Sequence, residues 1–325
     1  MQKLHASERQ LVSSFGDPPS PMQRLHASER ELVSLFSAHS FCSHTKAGTA
    51  GRLFVCISAS SEPREFWSVF SDAVVAMGHR CLTFDSYGRG ATPMPADGYV
   101  TRDAEAELIE KLLDDLVGGE PCILVAHSSG GLVAAHFADL HPGRVSALVL
   151  LAAMGAPMPR PLSSVMCVFG LCLVLPFVGK CFARSLHGAY YSGHRKTARE
   201  RGDPQDGERM ISYFRIQAAR PEYDRTQRQI ISDGWAAPET FARVGKHNRP
   251  VLIAHADDDA MLPSQMSQRL ASFFVNAHVT AMEAGLGGHH FVRNRELLRP
   301  GGKLSEALDA LLAKLDLADI ASRKS

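Results

Sequence analysis

An excess of charge of either sign is missing from this chain. Thirty-five lysines and arginines stand against 34 aspartates and glutamates, a formal net charge of +1. Without a basic surplus there is no long-range pull toward phosphate backbones or acidic bilayers, which argues against nucleic-acid partners. An apolar leader is missing too: the chain opens MQKLHASER, with no apolar core of the kind a signal peptide needs. A membrane-length run is also absent. The apolar stretch at 165–178, VMCVFGLCLVLPFV, is interrupted by Gly170 and Pro176 and falls short of the ~20 residues that span a bilayer. The seven cysteines are odd in number and lack paired metal-ligand spacing. Cys56, Cys81 and Cys122 lie in or beside apolar runs, so they read as free buried thiols in a reducing, cytoplasmic setting. A chain of 325 residues suits one large domain with an insertion.

The N-terminus carries a tandem duplication with a 21-residue step. Residues 1–15, MQKLHASERQLVSSF, and 22–36, MQRLHASERELVSLF, flank the breaker-rich GDPPSP. Two units are too few for a solenoid. Each copy has weak helical spacing, with Leu11, Val12 and Phe15 on one side of the first. A duplication without a dedicated role is the plain reading, and a docking helix for a partner is the sharper one. Residues 1–50 are read as an extension.

From Gly51 the chain is strongly patterned. Apolar runs at 52–58, 80–84, 122–126 and 145–152 read as strands, and the stretches at 62–79, 101–117 and 130–140 between them read as helices. The alternation lapses at 153–248 and resumes with strands at 251–256 and 277–282 and helices at 263–274 and 303–315. Unbroken apolar strands alternating with helices indicate a mostly parallel, doubly wound α/β sheet covered on both faces. The organisation is therefore a core first half at 51–152, a helical cap insertion at 153–248 and a core second half at 249–325. The run at 165–178 reads as a buried or pocket-lining helix, with Phe169 and Leu173 facing a substrate. A membrane-dipping helix, giving peripheral membrane contact through the cap, is the alternative.

The segment that carries chemistry is CILVAHSSGG at 122–131. A buried strand ends there and a helix begins with almost no connection, which pushes the corner side chain above the sheet. Such a turn needs small residues two before and two after the corner. Ser128 places Ala126 and Gly130 at those positions, whereas Ser129 would place His127 at one of them. Ser128 is thus the candidate nucleophile, at a helix N-terminus whose free N–H groups favour an oxyanion. A serine needs a base oriented by a carboxylate. Asp257-Asp258-Asp259 follows the strand at 251–256, and Gly285-Leu286-Gly287-Gly288-His289-His290 follows the last strand. Taken alone, the aspartates would be a solvated turn and the histidines a surface loop or half of a metal site. No carboxylate or cysteine spacing completes such a site, so neither metal nor cofactor is expected.

From about 51 to 315 the chain resembles the α/β-hydrolase superfamily, most closely cap-bearing esterases and monoacylglycerol or lysophospholipid lipases. The likeness rests on Glu65-Phe66-Trp67, on the Asp-x-x-Gly-x-Gly loop Asp85-Ser86-Tyr87-Gly88-Arg89-Gly90, on the elbow at 126–130, on the acid loop at 256–263 and on Gly288-His289. The resemblance implies that Asp259, four residues before Pro263, orients the base. It implies His289 as that base, with His290 the alternative. It implies an oxyanion hole made by the backbone N–H groups of Ser129 and Ala59. The family's His-Gly is replaced here by Ile57-Ser58, and its N-terminal hairpin is not evident before Gly51. The implied reaction is cleavage of a carboxylic ester, of lipid or monoacylglycerol type, through an acyl-enzyme, with a small-molecule ester or lipid as the partner. The rivals are a non-catalytic binding protein or a lyase or acyltransferase on the same fold.

Overall fold

The computed structural model describes residues 34–37, 40–157 except 91 and 96, 188, 192–196, 198–199, 202–220, 223, 225–226, 234 and 236–322. Phe169, Leu173 and the rest of the apolar run at 165–178 lie outside the described residues, as does the first copy of the duplication.

The strands are β1 (Ser34–Ser37), β2 (Ser40–Ala47), β3 (Leu53–Ile57), β4 (Arg80–Phe84), β5 (Cys122–His127), β6 (Val145–Leu151), β7 (Val251–Ala256) and β8 (Ala277–Met282). They form one sheet in the order β1-β2-β4-β3-β5-β6-β7-β8. From β4 to β8 every pairing is parallel, while β1–β2 and β2–β4 are antiparallel. This is the mostly parallel sheet that the apolar runs imply.

The hairpin β1–β2 is the element that the sequence pattern hides. Ser40–Ala47 reads SFCSHTKA, too polar to register as an apolar run. Its partner β1 is the end of the second repeat copy, where helical spacing was expected. A lone helix of that length is marginal in water. Pairing with β2 gives the same backbone a ladder instead, and β2 in turn pairs with β4.

The central strands are buried on both faces because successive side chains enter different cores. Leu53, Val55, Ile57, Leu124, Ala126, Leu148, Leu150 and Ile253 face one cluster. Phe54, Cys56, Ile123, Val125, Val149, Leu151 and Leu252 face the other. The first cluster is closed by α2 (Arg102–Val117), α3 (Gly130–Leu140), α5 (Pro238–Gly245) and α6 (Ser264–Ala271). The second is closed by α1 (Ser68–Ala76), α7 (Arg295–Leu298) and α8 (Lys303–Ser322). Each fully buried Leu, Ile or Phe contributes roughly 1.5–3 kcal/mol. Helix α2 starts where Thr101 accepts a hydrogen bond from the Ala104 N–H and stops at Gly118 in the left-handed region. The thiols of Cys56, Cys81 and Cys122 are free and buried.

The chain leaves the core after β6 and returns through a bridge between Gly155 and Ala236, closed by a hydrogen bond from Ala237 N–H to Gly155 O (2.9 Å). Helix α5 follows at once and packs in the core through Phe241 and Val244, although the expected boundary at 248 leaves it in the insertion. Between these two points, α4 (Pro204–Ala218) lays Met210, Ile211 and Phe214 on the second cluster.

An ion pair anchors α4 further. Asp206 and Arg293 have side chains only 1% and 2% exposed. Arg293 donates to Asp206 through Nε (3.0 Å) and Nη2, and through Nη1 to the carbonyls of Glu65 and Phe66. Removing one partner of such a pair leaves a buried charge uncompensated, at about 3–5 kcal/mol. Asp206→Ala is therefore expected to lose stability on that scale in a denaturant titration. A loss below about 1 kcal/mol, the range of exposed pairs, would show that the pair does not hold the insertion.

Candidate active site

Two residues separate β5 from α3, and the first of them, Ser128, has φ 52°. A non-glycine residue in that region is strained by about 1–3 kcal/mol and persists only where its surroundings hold it. Here Ser128 N–H donates to Leu151 O (3.1 Å), and Ser128 O accepts from Met154 N–H (2.9 Å) and Gly131 N–H (3.0 Å). The demand for small neighbours is visible in atoms. A Cβ on Gly130 would lie 2.6 Å from Ile57 O and 2.9 Å from Ser58 O, while Ala126 is fully buried.

Two of the candidate residues meet. Asp259, in the turn after β7, places Oδ2 2.6 Å from His289 Nδ1. Its Oδ1 accepts from the N–H groups of Met261 (2.8 Å) and Leu262 (2.9 Å). An ionised carboxylate only accepts, so Nδ1 carries the proton and the lone pair of neutral His289 resides on Nε2. Burial alone would raise the Asp259 pKa, but the His289 partner and the two backbone donors outweigh it and hold the carboxyl below its ordinary 3.8. The other aspartates serve differently: Asp258 Oδ2 accepts from Gly285 N–H (2.8 Å), tying the acid loop to the base loop, and Asp257 is largely exposed. Gly287 (φ 136°) and Gly288 (φ 53°) make the bend that delivers His289.

A depressed carboxyl pKa stabilises the fold above the unfolded value, and that contribution disappears as the pH falls through the native value. Stability is therefore expected to fall below about pH 4, near the Asp259 reference. Melting temperature against pH, compared with Asp259→Asn, checks this. Parallel acid limbs for the two proteins would refute it.

His290 points elsewhere. It is 1% exposed, with Nε2 3.6 Å from Glu62 Oε1, and sits edge-on to Phe66 and His194. Burial pushes it well below the ordinary histidine value, with Glu62 opposing. It is an interior group, whereas His289 pairs with Asp259.

Two backbone N–H groups of the loop after β3, one of them that of the expected oxyanion donor Ala59, both have acceptors. Ala59 N–H donates to Glu62 Oε2 (2.9 Å), so this donor is already engaged. The next N–H, Ser60, faces the elbow and donates to Ser129 Oγ (3.0 Å). The Asp85 loop braces this region. Asp85 accepts from Arg64 N–H (2.8 Å) and Nη1 (2.7 Å), and a Cβ on Gly90 would strike the Asp85 carboxylate at 2.1 Å. Arg89 donates to Ser60 O (2.9 Å) and to Glu105 (3.0 Å).

Two residues that sequence reasoning passed over complete the arrangement. His127, directly before Ser128, is fully buried, with Nε2 2.8 Å from His289 O and Nδ1 3.0 Å from Glu62 Oε2. Its ring lies 4.7 Å from that of His289, which brings His289 close to the residue that precedes Ser128. Among the described residues no group of three or more His, Cys, Asp or Glu side chains is arranged to hold a metal ion. No helix among them is long and apolar enough to cross a membrane.

A sequence profile of the alpha/beta hydrolase family matches residues 54–298, from the first core strand to the end of α7. The chain belongs to the alpha/beta hydrolase family. Among its relatives in that family is a Variovorax paradoxus protein assigned by name to the carbamate hydrolases of the RutD type, 28% identical over 72% of this chain and 85% of that one. Solved alpha/beta hydrolase folds superpose on most of the chain. Bromoperoxidase from Bacillus anthracis has a TM-score of 0.66 at 19% identity, covering 87% of this chain and 99% of that one. A thermophilic esterase from Thermogutta terrifontis has 0.63 at 15%, covering 88% and 98%. At those identities the solved structures speak for the fold, and the hydrolase assignment comes from the family match and the longer sequence relatives.

Proposed function

We propose that this alpha/beta hydrolase cleaves carboxylic esters by a Ser128–His289–Asp259 triad through an acyl-enzyme. The observation that carries the reading is the buried Asp259–His289 hydrogen bond of 2.6 Å beside a serine held at φ 52°. His289 Nε2 takes the Ser128 proton as the hydroxyl attacks the carbonyl, and Asp259 holds the imidazolium that forms. The tetrahedral oxygen is received by the N–H groups of Ser129 and Ser60, the Ser129 hydroxyl giving way to substrate. His289 then returns the proton to the leaving alkoxide, and water cleaves the acyl-enzyme with His289 again as base. Nothing in these steps calls for a metal or cofactor.

A second reading is favoured by the relatives of the RutD type that cover most of the chain: a carbamate, whose carbonyl is open to the same attack with an amine as leaving group. Labelling by a fluorophosphonate, followed by turnover of graded-length acyl esters and of carbamates, tests both. Labelling with ester turnover supports the first, and labelling with carbamate turnover alone moves the substrate class to the second. Absence of labelling in folded protein overturns the serine mechanism and leaves a binding role on this fold.

A further inference from the structure

We propose that Glu62 and His127 form a permanently ionised, buried pair that holds the oxyanion loop, the elbow and the base loop in register, as positioning residues for the reaction above, on whose serine mechanism this inference rests. Each atom of the pair faces a partner that fixes its state. His127 Nε2 lies 2.8 Å from the carbonyl oxygen of His289, which can only accept, so Nε2 carries a proton. His127 Nδ1 lies 3.0 Å and 2.9 Å from the two oxygens of Glu62. Glu62 also accepts from Ala59 N–H (2.9 Å), which favours its charged form. With acceptors at both nitrogens, His127 is an imidazolium.

The other titratable groups facing His127 agree with this arrangement. His290, at 6.0 Å between rings, is kept neutral by its burial. His289 lies at 4.7 Å, paired to Asp259. Burial would lower the His127 pKa, but the Glu62 charge and hydrogen bond, the His289 carbonyl and Asp259 raise it above the ordinary value. Burial would raise that of Glu62, but His127 and His290 hold it far below the ordinary carboxylate range. Phe66 and Trp67 lie against the His127 ring.

One carboxylate thus touches three loops: Ala59 after β3, His127 before the nucleophile and His290 after the base. His127 in turn grips the backbone of the base itself. A buried ion pair is a weak source of net stability, since packed apolar residues often do as well. What it adds is geometry, because each hydrogen bond fails if a loop shifts.

The test is histidine-selective NMR of the full chain together with Glu62→Gln, which keeps shape and removes charge. In the wild type, His127, assigned by its loss in His127→Gln, is expected to show both ring nitrogens protonated well above the ordinary histidine pKa. A neutral His127 in the folded wild type overturns the proposal without any variant being needed. In Glu62→Gln, His127 is expected to lose one ring proton and kcat for an acyl ester to fall about 10²-fold with KM little changed, the cost of a small misplacement of reacting groups. An unchanged kcat in a folded variant with neutral His127 overturns the positioning role. If Glu62→Gln does not fold, His127→Gln carries the same expectation for kcat. A wild type with a protonated His127 but no fluorophosphonate labelling defeats the serine-hydrolase reading instead, and the positioning role falls with it.

Discussion

Replacing Ser128 with alanine is expected to abolish fluorophosphonate labelling and to lower ester turnover by a factor on the order of 10⁶, because triad members act as a unit. Ser129→Ala is expected to keep most of the labelling. The neighbouring serine is the informative control. It lies one residue along, and its hydroxyl accepts from Ser60 N–H, yet the contribution proposed for it comes from its backbone N–H, which alanine retains. Mass spectrometry of labelled peptides reads both outcomes. Full labelling of the Ser128→Ala protein would move the nucleophile or end the enzymatic reading. The substitution also relieves little strain, since alanine at φ 52° is no more comfortable than serine there. A large fall in activity with an unchanged melting temperature is therefore the pattern expected of a chemical role.

His289→Ala is expected to cost 10³-fold or more in turnover, on the order of what other triads show, while His290→Ala leaves most of kcat in whatever protein folds. Adjacent histidines are a stringent comparison because composition and loop are shared and only the direction of the side chain differs. His289 meets Asp259 at 2.6 Å, whereas His290 lies in the interior against Phe66 and His194. The cost of His290→Ala should appear as a lower melting temperature, from a cavity in a buried site. A greater loss of kcat from His290→Ala than from His289→Ala would reverse the assignment.

How much of this was legible beforehand follows from the kind of signal each element emits. A strand buried along nearly its whole length announces itself as an apolar run, so 80–84 coincides with β4, while 277–282 coincides with β8 although that edge strand is only partly buried, and α3 is bounded at 130–140 as its breakers suggest. The hairpin escaped because β2 carries Ser43, His44, Thr45 and Lys46 in a strand that reads as polar, and because β1 sits in a repeat whose spacing is ambiguous. At the site, chain order and the steric rule for the elbow were enough to single out Ser128, and the resemblance pointed to the Asp259–His289 pair that the structure brings together. The oxyanion donor after β3 is the hardest part to read, because a short glycine-poor loop such as 57–62 has no internal landmark. Glu62 and His127 were passed over for a different reason. A single glutamate in a loop looks solvated, and a histidine ending a strand looks like part of the strand. Only the approach of segments 65 and 162 residues apart reveals what they share.

The 3₁₀ segment Gly288–Arg293 has His289, the proposed base, near one end and, at the other, the arginine that grips α4 through Asp206. Five positions after a glycine bend thus belong to two assemblies at once. The stretch that contains α4 is consequently not a freely exchangeable module. A chimera that transplants a foreign segment between Gly155 and Ala236 inherits a guanidinium already committed to the interior, and unless the graft brings its own carboxylate to that spot, the mismatch lands four residues from the base. Variation between Gly155 and Ala236 is thereby channelled: the point where α4 attaches is dictated by the core.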